Sequence, residues 1–272
     1  MNKKKKFEKI IQDIRDVKIQ GAGNVAKAAI IAYEIFPTST SKKRLLEIRP
    51  TEPMLQNVLN HANKFSSKEI LSHFENSQKE INKNVLKIIK KNDLIFTHCH
   101  SSTVVESMVY AKNKGKNLEV YNTETRPLFQ GRKTARDLRK AGIKTTMFVD
   151  SAAGVALSGE QGTKKPDKVF LGADALLKNG IVNKIGSEVI CRIAKENKIP
   201  VYIISDSWKF SKKKVKMEQR SMKEIWSSKK KSINFNIKNP AFEFVPKKYI
   251  TGIVTELGVL KYSEFLKKVK RI

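Results

Sequence analysis

Asp93-Leu-Ile-Phe-Thr-His-Cys-His-Ser-Ser-Thr103 is an apolar run that ends in a thiol and then in a cluster of hydroxyl residues. Leu94 to Thr97 have the composition of a strand buried on both faces, and Ser101, Ser102 and Thr103 are N-cap residues opening a helix that Val104, Val105 and Met108 continue. The stretch therefore reads as strand, turn and helix, with Cys99 at the strand's carboxyl end facing a helix N-terminus. Such a terminus favours a bound phosphate and a thiolate alike. Read alone, Cys99 is equally the small inert apolar residue that most unpaired cysteines are.

Downstream, short β-branched runs recur at Leu118–Asn122, Thr145–Val149, Lys168–Leu171, Val201–Ile204 and Ile250–Val254. Helical segments fall between most of them, at Ser102–Lys112, Thr134–Ala141 and Ser187–Asn197, with a closing helix at Ser263–Lys270. This alternation predicts an α/β fold with a doubly wound, mostly parallel, Rossmann-like sheet. Upstream the spacing is helical: Phe7, Ile10, Ile11 and Ile14, then Val25, Ala28, Ala29 and Ala32, then helices over about Met54–Lys64 and Ser67–Lys91, with a loop around Pro37, Ser39, Thr40 and Ser41. The expected division is a helical N-terminal domain, residues 1–91, and a catalytic α/β domain, residues 92–272. The basic stretch Ser211–Lys238 is poorly periodic and reads as a surface excursion with a short helix near Met222–Trp226.

At 272 residues and 40% hydrophobic, the chain is long and apolar enough for a real core. No apolar run approaches the roughly 20 residues of a membrane span, and the N-terminus leads into amphipathic helix, so a soluble cytoplasmic protein is expected. Cys99 and Cys191 lie in separate elements without zinc-type spacing, which points to neither a disulfide nor a structural metal. The formal net charge of +29 would attract polyanions. The excess is nearly all lysine spread over solvated faces. Its clusters at Lys3–Lys6, Lys212–Lys214 and Lys229–Lys231 lack interleaved aromatics, which argues against specific nucleic-acid binding.

In open sheets ligands bind outside the carboxyl ends of the strands. Those ends read Thr97-His98-Cys99, Thr123-Glu124-Thr125-Arg126, Asp150-Ser151, Gly172-Ala173-Asp174, Ser205-Asp206 and Thr255-Glu256. A thiol, several carboxylates and an arginine on one edge are what an active site needs. Arg126, Gln130 and Lys133 form one donor group. Asn183 and Lys184, just before the Ser187 helix start, form a second anion-binding corner, and Lys209 follows the Val201–Ile204 strand. Asp174 alone reads as an ordinary turn residue; this company makes it a candidate acid. Gln20-Gly21-Ala22-Gly23 is a glycine turn feeding a helix, able to approach a phosphate or simply to turn a tight corner.

Thr97-His-Cys99, Glu124-Thr-Arg-Pro127 with Gln130-Gly131, Gly172-Ala-Asp174, Asn179-Gly180, Asn183-Lys-Ile-Gly186, Lys209-Phe210 and Ile253-Val-Thr-Glu-Leu-Gly258 together resemble the superfamily of translation initiation factor 2B alpha, beta and delta subunits and sugar-1-phosphate isomerases. The likeness covers most of the chain after about residue 15. It implies one of three activities: ribose-1,5-bisphosphate isomerase, methylthioribose-1-phosphate isomerase, or a non-catalytic regulatory subunit. Cys99 and Asp174 match the catalytic pair of the isomerases, and factor subunits typically lose one or both. Asp174-Ala175 and Ser101-Ser102 look more like the bisphosphate enzyme, whereas Gln20 and His100 stand where Arg and Asn are usual. By the same resemblance Asp174 protonates the sugar's ring oxygen, and Cys99 as thiolate moves the proton from C2 to C1. Phosphate clamps would come from Gln20, Gly21, Ala22, Gly23, Arg49, Ser101, Ser102, Thr103, Asn183, Lys184 and Lys209. No cofactor or metal is implied. A phosphorylated pentose is the implied substrate, AMP an activator, and a homo-oligomer (dimer or trimer of dimers) the expected assembly.

Overall fold

The run after Asp93 forms β1 (Asp93–Thr97), buried at every residue, in a computed structural model that describes residues 2–49, 52–217, 219–226 and 236–270. A strand buried on both faces needs partners on both edges and a layer above and below. β1 pairs in parallel with β2 (Leu118–Thr123) on one side and β4 (Lys168–Leu171) on the other. Beyond β2 lies β3 (Lys144–Phe148); beyond β4 lie β7 (Val201–Ile204), β9 (Gly252–Thr255) and an antiparallel edge strand β10 (Gly258–Leu260). The order β10-β9-β7-β4-β1-β2-β3 is that of a doubly wound sheet, as the alternation predicts. Its direction of winding reverses between β1 and β4. The crevice outside those two strands is therefore where this architecture binds ligands.

Alternate residues of each strand face opposite layers. Leu94, Phe96, Val169, Leu171, Val201, Ile203 and Ile253 pack with Ala153 and Ala156 of α8 (Ala153–Ser158), Ile190, Cys191 and Ala194 of α9 (Ser187–Glu196), and Phe265 of α10 (Tyr262–Val269). Ile95, Val120, Phe170, Ile204 and Val254 pack the other way, on Ile81 and Val85 of α5 (Ser67–Ile88), Val104 and Met108 of α6 (Ser102–Asn113) and Leu138 of α7 (Gln130–Lys140). The second half of α5 is thus part of the sheet's core, and a boundary at 91 falls after a helix that both parts share. Its first half joins α2 (Ala22–Ile35) and α4 (Pro53–His61) around Ile30, Val58, Ile70 and Phe74, while α1 (Lys3–Arg15) packs on α2 through Phe7, Ile11 and Ile14.

Two expectations are corrected. Ser39 to Ser41 are not loop but the start of α3 (Ser39–Ile48), because the Thr38 hydroxyl accepts the N–H of Ser41 and caps the helix. Within the C-terminal part, β5 (Ala175–Leu176), β6 (Gly180–Lys184) and β8 (Phe242–Pro246) form a second, antiparallel sheet that the one-sheet reading lacked. Near Met222 there is only a single 3-10 turn, Met222–Glu224. Lys3–Lys6 and Lys212–Lys214 face solvent, Lys229–Lys231 lies outside the described residues, and no helix among the described residues is long and apolar enough to cross a membrane.

At its amino end β1 is tied down by a buried ion pair: Lys168 Nζ donates to Asp93 Oδ2 at 2.6 Å, and Lys90 N–H donates to the same oxygen. Removing one partner strands a buried charge, so Lys168→Met should cost about 3–5 kcal/mol in urea unfolding, whereas Asp93→Leu combined with Lys168→Met should cost less than the single change. A loss below about 1 kcal/mol for Lys168→Met would show that the pair contributes no more than an exposed one.

Candidate active site

The turn after β1 is held by its neighbours rather than by its own sequence. Cys99 has φ +66°, a left-handed conformation that costs a residue with a side chain roughly 1–2 kcal/mol. Two threonine hydroxyls hold it there: Cys99 N–H donates to Thr125 Oγ1 at 3.0 Å, and Cys99 C=O accepts from Thr134 Oγ1 at 2.8 Å. Thr134, its proton so engaged, accepts from His100 Nδ1 at 3.0 Å, and Lys133 Nζ donates to His100 Nε2 at 3.0 Å. His100 is therefore a neutral imidazole, which burial and the Lys133 charge push down to about 4. On the other side His98 Nε2 donates to Ile185 C=O at 2.8 Å and Nδ1 accepts from Thr123 Oγ1; burial lowers its pKa as well. The Thr123–Arg126 turn is clamped in its turn by Asp150, whose carboxylate accepts the N–H groups of Thr125 at 2.8 Å and Arg126 at 2.6 Å.

Two glycines set the close approaches. A Cβ on Gly131 would stand 1.7 Å from Thr123 C=O, so only glycine lets α7 start against the end of β2. A Cβ on Gly172 would stand 2.8 Å from both Cβ and Oγ of Ser101, the residue that caps α6 by accepting Val104 N–H. Gly172 thus brings the Ser101 turn against the end of β4, the strand from which Asp174 leaves. Asp174 is half-buried and its N–H donates to Val182 C=O, which hangs it on the second sheet. The preceding carbonyl, Ala173 C=O, accepts from the buried Lys209 Nζ at 2.7 Å.

Cys99 is half-buried, and burial pushes its thiol up to about 11; Lys184 and the N–H of His100 pull against that shift, and the charges of Asp174 and Asp150 add to it. This corrects the expectation of a resting thiolate at a helix N-terminus. Desolvation outweighs the local dipoles, and the sulfur is a thiol at neutral pH. Cys191, buried in the sheet core and pushed up to about 12 by burial, is an inert apolar residue.

Of the residues expected to bind ligand, Ser101 lies against Gly172, Lys209 bonds Ala173 C=O, and the charge of Lys184 acts on the Cys99 sulfur, with Ser102 exposed and Thr103 half-buried in the first turn of α6. Arg126 is exposed and lies over the Phe129 ring at 4.8 Å; Gln130, at the start of α7, carries a buried Oε1 with no hydrogen-bond partner. Asn183 is buried, and its amide donates to Ser187 Oγ at 2.8 Å. The anion corner expected at the start of α9 already holds an anion: the Glu243 carboxylate from β8 accepts Glu188 N–H at 2.8 Å and receives the N–H groups of Gly186 and Ser187. Arg49 is buried, with Nη2 donating to Ile14 C=O at 3.0 Å, and Gln20 returns its amide to Val17 C=O, so both are engaged among the N-terminal helices. Gly21, at φ +84°, caps α2, and a Cβ at Gly21 or Gly23 would meet nothing within 4 Å; Ala22 is buried in the cluster that also receives Trp208, next to Lys209. His98, Thr125 and Asp150 stand among the strand-end groups in the sequence but with no role assigned to them, and Thr134 only as part of a helix. Their only signal is position at strand ends or in the first turn of a helix that meets one.

A doubly wound sheet with a thiol and a carboxyl just beyond the two strands of its switch point is the architecture of an α/β protein with a site suited to acid–base chemistry. The chain belongs to the initiation factor 2 subunit family, whose model matches residues 37–262. It is 34% identical to a ribose 1,5-bisphosphate isomerase of Methanocaldococcus jannaschii, over 92% of this chain and 89% of that one, and 31% identical to one of Archaeoglobus fulgidus, over 92% and 88%. Among solved structures it resembles the Pyrococcus horikoshii translation initiation factor eIF-2B, with a TM-score of 0.81 at 25% identity, covering 94% of this chain and 96% of that one.

Proposed function

We propose that the chain is a sugar-phosphate aldose–ketose isomerase that converts ribose 1,5-bisphosphate to ribulose 1,5-bisphosphate. The observation that carries this reading is that Cys99 and Asp174 follow the carboxyl ends of adjacent strands, β1 and β4, on the two sides of the switch point. The substrate's ring is closed and its anomeric oxygen esterified, so the reaction must open the ring before it can move hydrogen. Asp174 as an acid protonates the ring oxygen, and the bond from that oxygen to C1 breaks. Cys99 as thiolate takes the proton from C2, giving an enol. The C2 hydroxyl returns its proton to the Asp174 carboxylate as the carbonyl forms, and Cys99 delivers its proton to C1. Protons balance, both groups end as they began, and one acid and one base suffice.

Substrate choice turns on the sugar's 5-end, where a bisphosphate carries a dianion and a methylthio sugar carries an apolar group. Lys184 and Lys209 support the dianion: an ammonium has three donors, and Ala173 C=O takes one of those of the buried Lys209. The unpartnered Gln130 Oε1 supports a sugar hydroxyl, which would supply the missing donor. The test offers purified protein ribose 1,5-bisphosphate and methylthioribose 1-phosphate side by side, with and without AMP, the activator expected by resemblance. The bisphosphate should be preferred by far more than about tenfold in kcat/KM, since a site built for charged hydrogen bonds strongly rejects a ligand that cannot make them. Preference for the methylthio sugar would refute the cationic pocket. Turnover of neither sugar would move the assignment to a regulatory subunit of the eIF-2B type.

A further inference from the structure

A second group of reactive side chains meets between α5 and the carboxyl ends of β7 and β9. His73 Nε2 stands 3.1 Å from Oδ2 and 3.3 Å from Oδ1 of Asp206, and the ligand atoms of His73, Asp206 and Glu256 all lie within 4.8 Å of one another. Ser77, one turn beyond His73, donates its hydroxyl to Asp206 Oδ2 at 2.5 Å and has Glu256 Oε2 at 3.2 Å. The His73 ring lies flat on Trp208, with centroids 3.5 Å apart and planes 4° from parallel, which fixes the direction of its nitrogens.

Two carboxylates and one imidazole thus turn their ligand atoms toward the same few ångströms of space, in a corner walled by Ser77, Ser207 and Trp208. A separate sign of an absent partner is Ser207. Its N–H donates to Glu256 Oε2 at 3.1 Å, yet its own hydroxyl is buried, at 2% exposure for the residue, and has no hydrogen-bond partner. A buried hydroxyl is seldom left so, and a water held on a metal ion beside Glu256 would satisfy it.

We propose that His73, Asp206 and Glu256 bind one divalent transition-metal ion of the zinc or cobalt type. One imidazole and two carboxylates are borderline donors that suit such ions, whereas calcium and magnesium prefer all-oxygen sets. In a tetrahedral site with bonds of about 2.0–2.2 Å the ligand atoms stand about 3.4 Å apart. The spacing from His73 to Asp206 is already close to that, and the Glu256 ligand atom lies within 4.8 Å of both. The ion leaves a fourth position for water. It pins α5 to the strand ends just ahead of Lys209, which supports the carbonyl before Asp174. The site stands apart from the isomerase reading and does not depend on it.

Chelator-stripped full-length protein is titrated with Zn2+ by calorimetry and with Co2+ by visible absorption. One ion per chain is expected, at micromolar affinity or tighter, with the intense visible bands of four-coordinate Co2+. His73→Phe keeps a ring on Trp208 and removes the nitrogen; Glu256→Gln keeps an acceptor for Ser207 N–H and removes the charge. Each should weaken binding by at least about 100-fold, with a metal-free melting curve close to that of the parent chain as the control on folding. Absence of saturable one-to-one binding of either ion overturns the proposal. So does binding unchanged in either variant, or binding lost in His61→Ala, which removes the other histidine stacked on Trp208 but no proposed ligand.

Discussion

Cys99→Ser and Asp174→Asn each lower kcat on ribose 1,5-bisphosphate by about 10²–10⁴-fold, the range that one general acid or base contributes, while the protein remains folded. The stability half of this expectation follows from how the two residues are held. The Cys99 turn is fixed through its main chain, by Thr125 and Thr134, and Asp174 through its N–H to Val182 C=O. A serine at 99 keeps both main-chain bonds and nearly the same volume. It cannot act as the base, because a hydroxyl ionises far above a thiol. Asparagine at 174 keeps the shape and loses only the proton to give. Steady-state kinetics beside a melting curve separate the two effects. Activity within about tenfold of the parent in either variant would remove that residue from the chemistry. A loss of activity that tracked a loss of folded protein would instead make the residue structural.

The parts of this molecule legible in the sequence are those whose physics is local. The strand at Asp93–Thr97 announces itself by three apolar residues and a β-favouring threonine before polar ones, and Ser101 caps the following helix as its side chain and neighbours predict. From the alternation of such units the parallel sheet followed, and with it the list of strand ends that contains Cys99 and Asp174. The second sheet was not legible. β5 has two residues, and β6 and β8 pair across more than 50 positions of chain, so neither has a periodicity to detect. Ser39 to Ser41 misread as loop because a capped helix start and a polar loop share a composition. The misjudged anion corner at Ser187 has the same origin as the hidden cluster at His73. Glu243 reaches α9 from 55 residues away and Asp206 reaches His73 from 133, contacts made by topology alone. The charge state of Cys99 lies furthest from the sequence, since it depends on how much water the folded cleft excludes.

That charge state gives the second large effect. With the thiol pushed up to about 11, only about one chain in ten thousand carries a thiolate at pH 7, by the ordinary titration relation. If the thiolate is the base, kcat/KM rises with pH, because deprotonation creates the active form. The rise is about tenfold per unit while the pH remains well below the thiol's pKa. Between pH 7 and 9 the gain should approach about 100-fold, with the slope easing only as the titration is reached. Lys184 is the charge that pulls the thiol down. Lys184→Met therefore moves the whole curve to higher pH and slows the reaction at any fixed pH below it. The shift is the part to measure. Loss of a phosphate contact alone would raise KM and leave the position of the curve unchanged, whereas loss of the charge beside the sulfur displaces the curve. A profile flat from pH 7 to 9, unmoved by Lys184→Met, would mean that Cys99 reacts as a thiol or not at all.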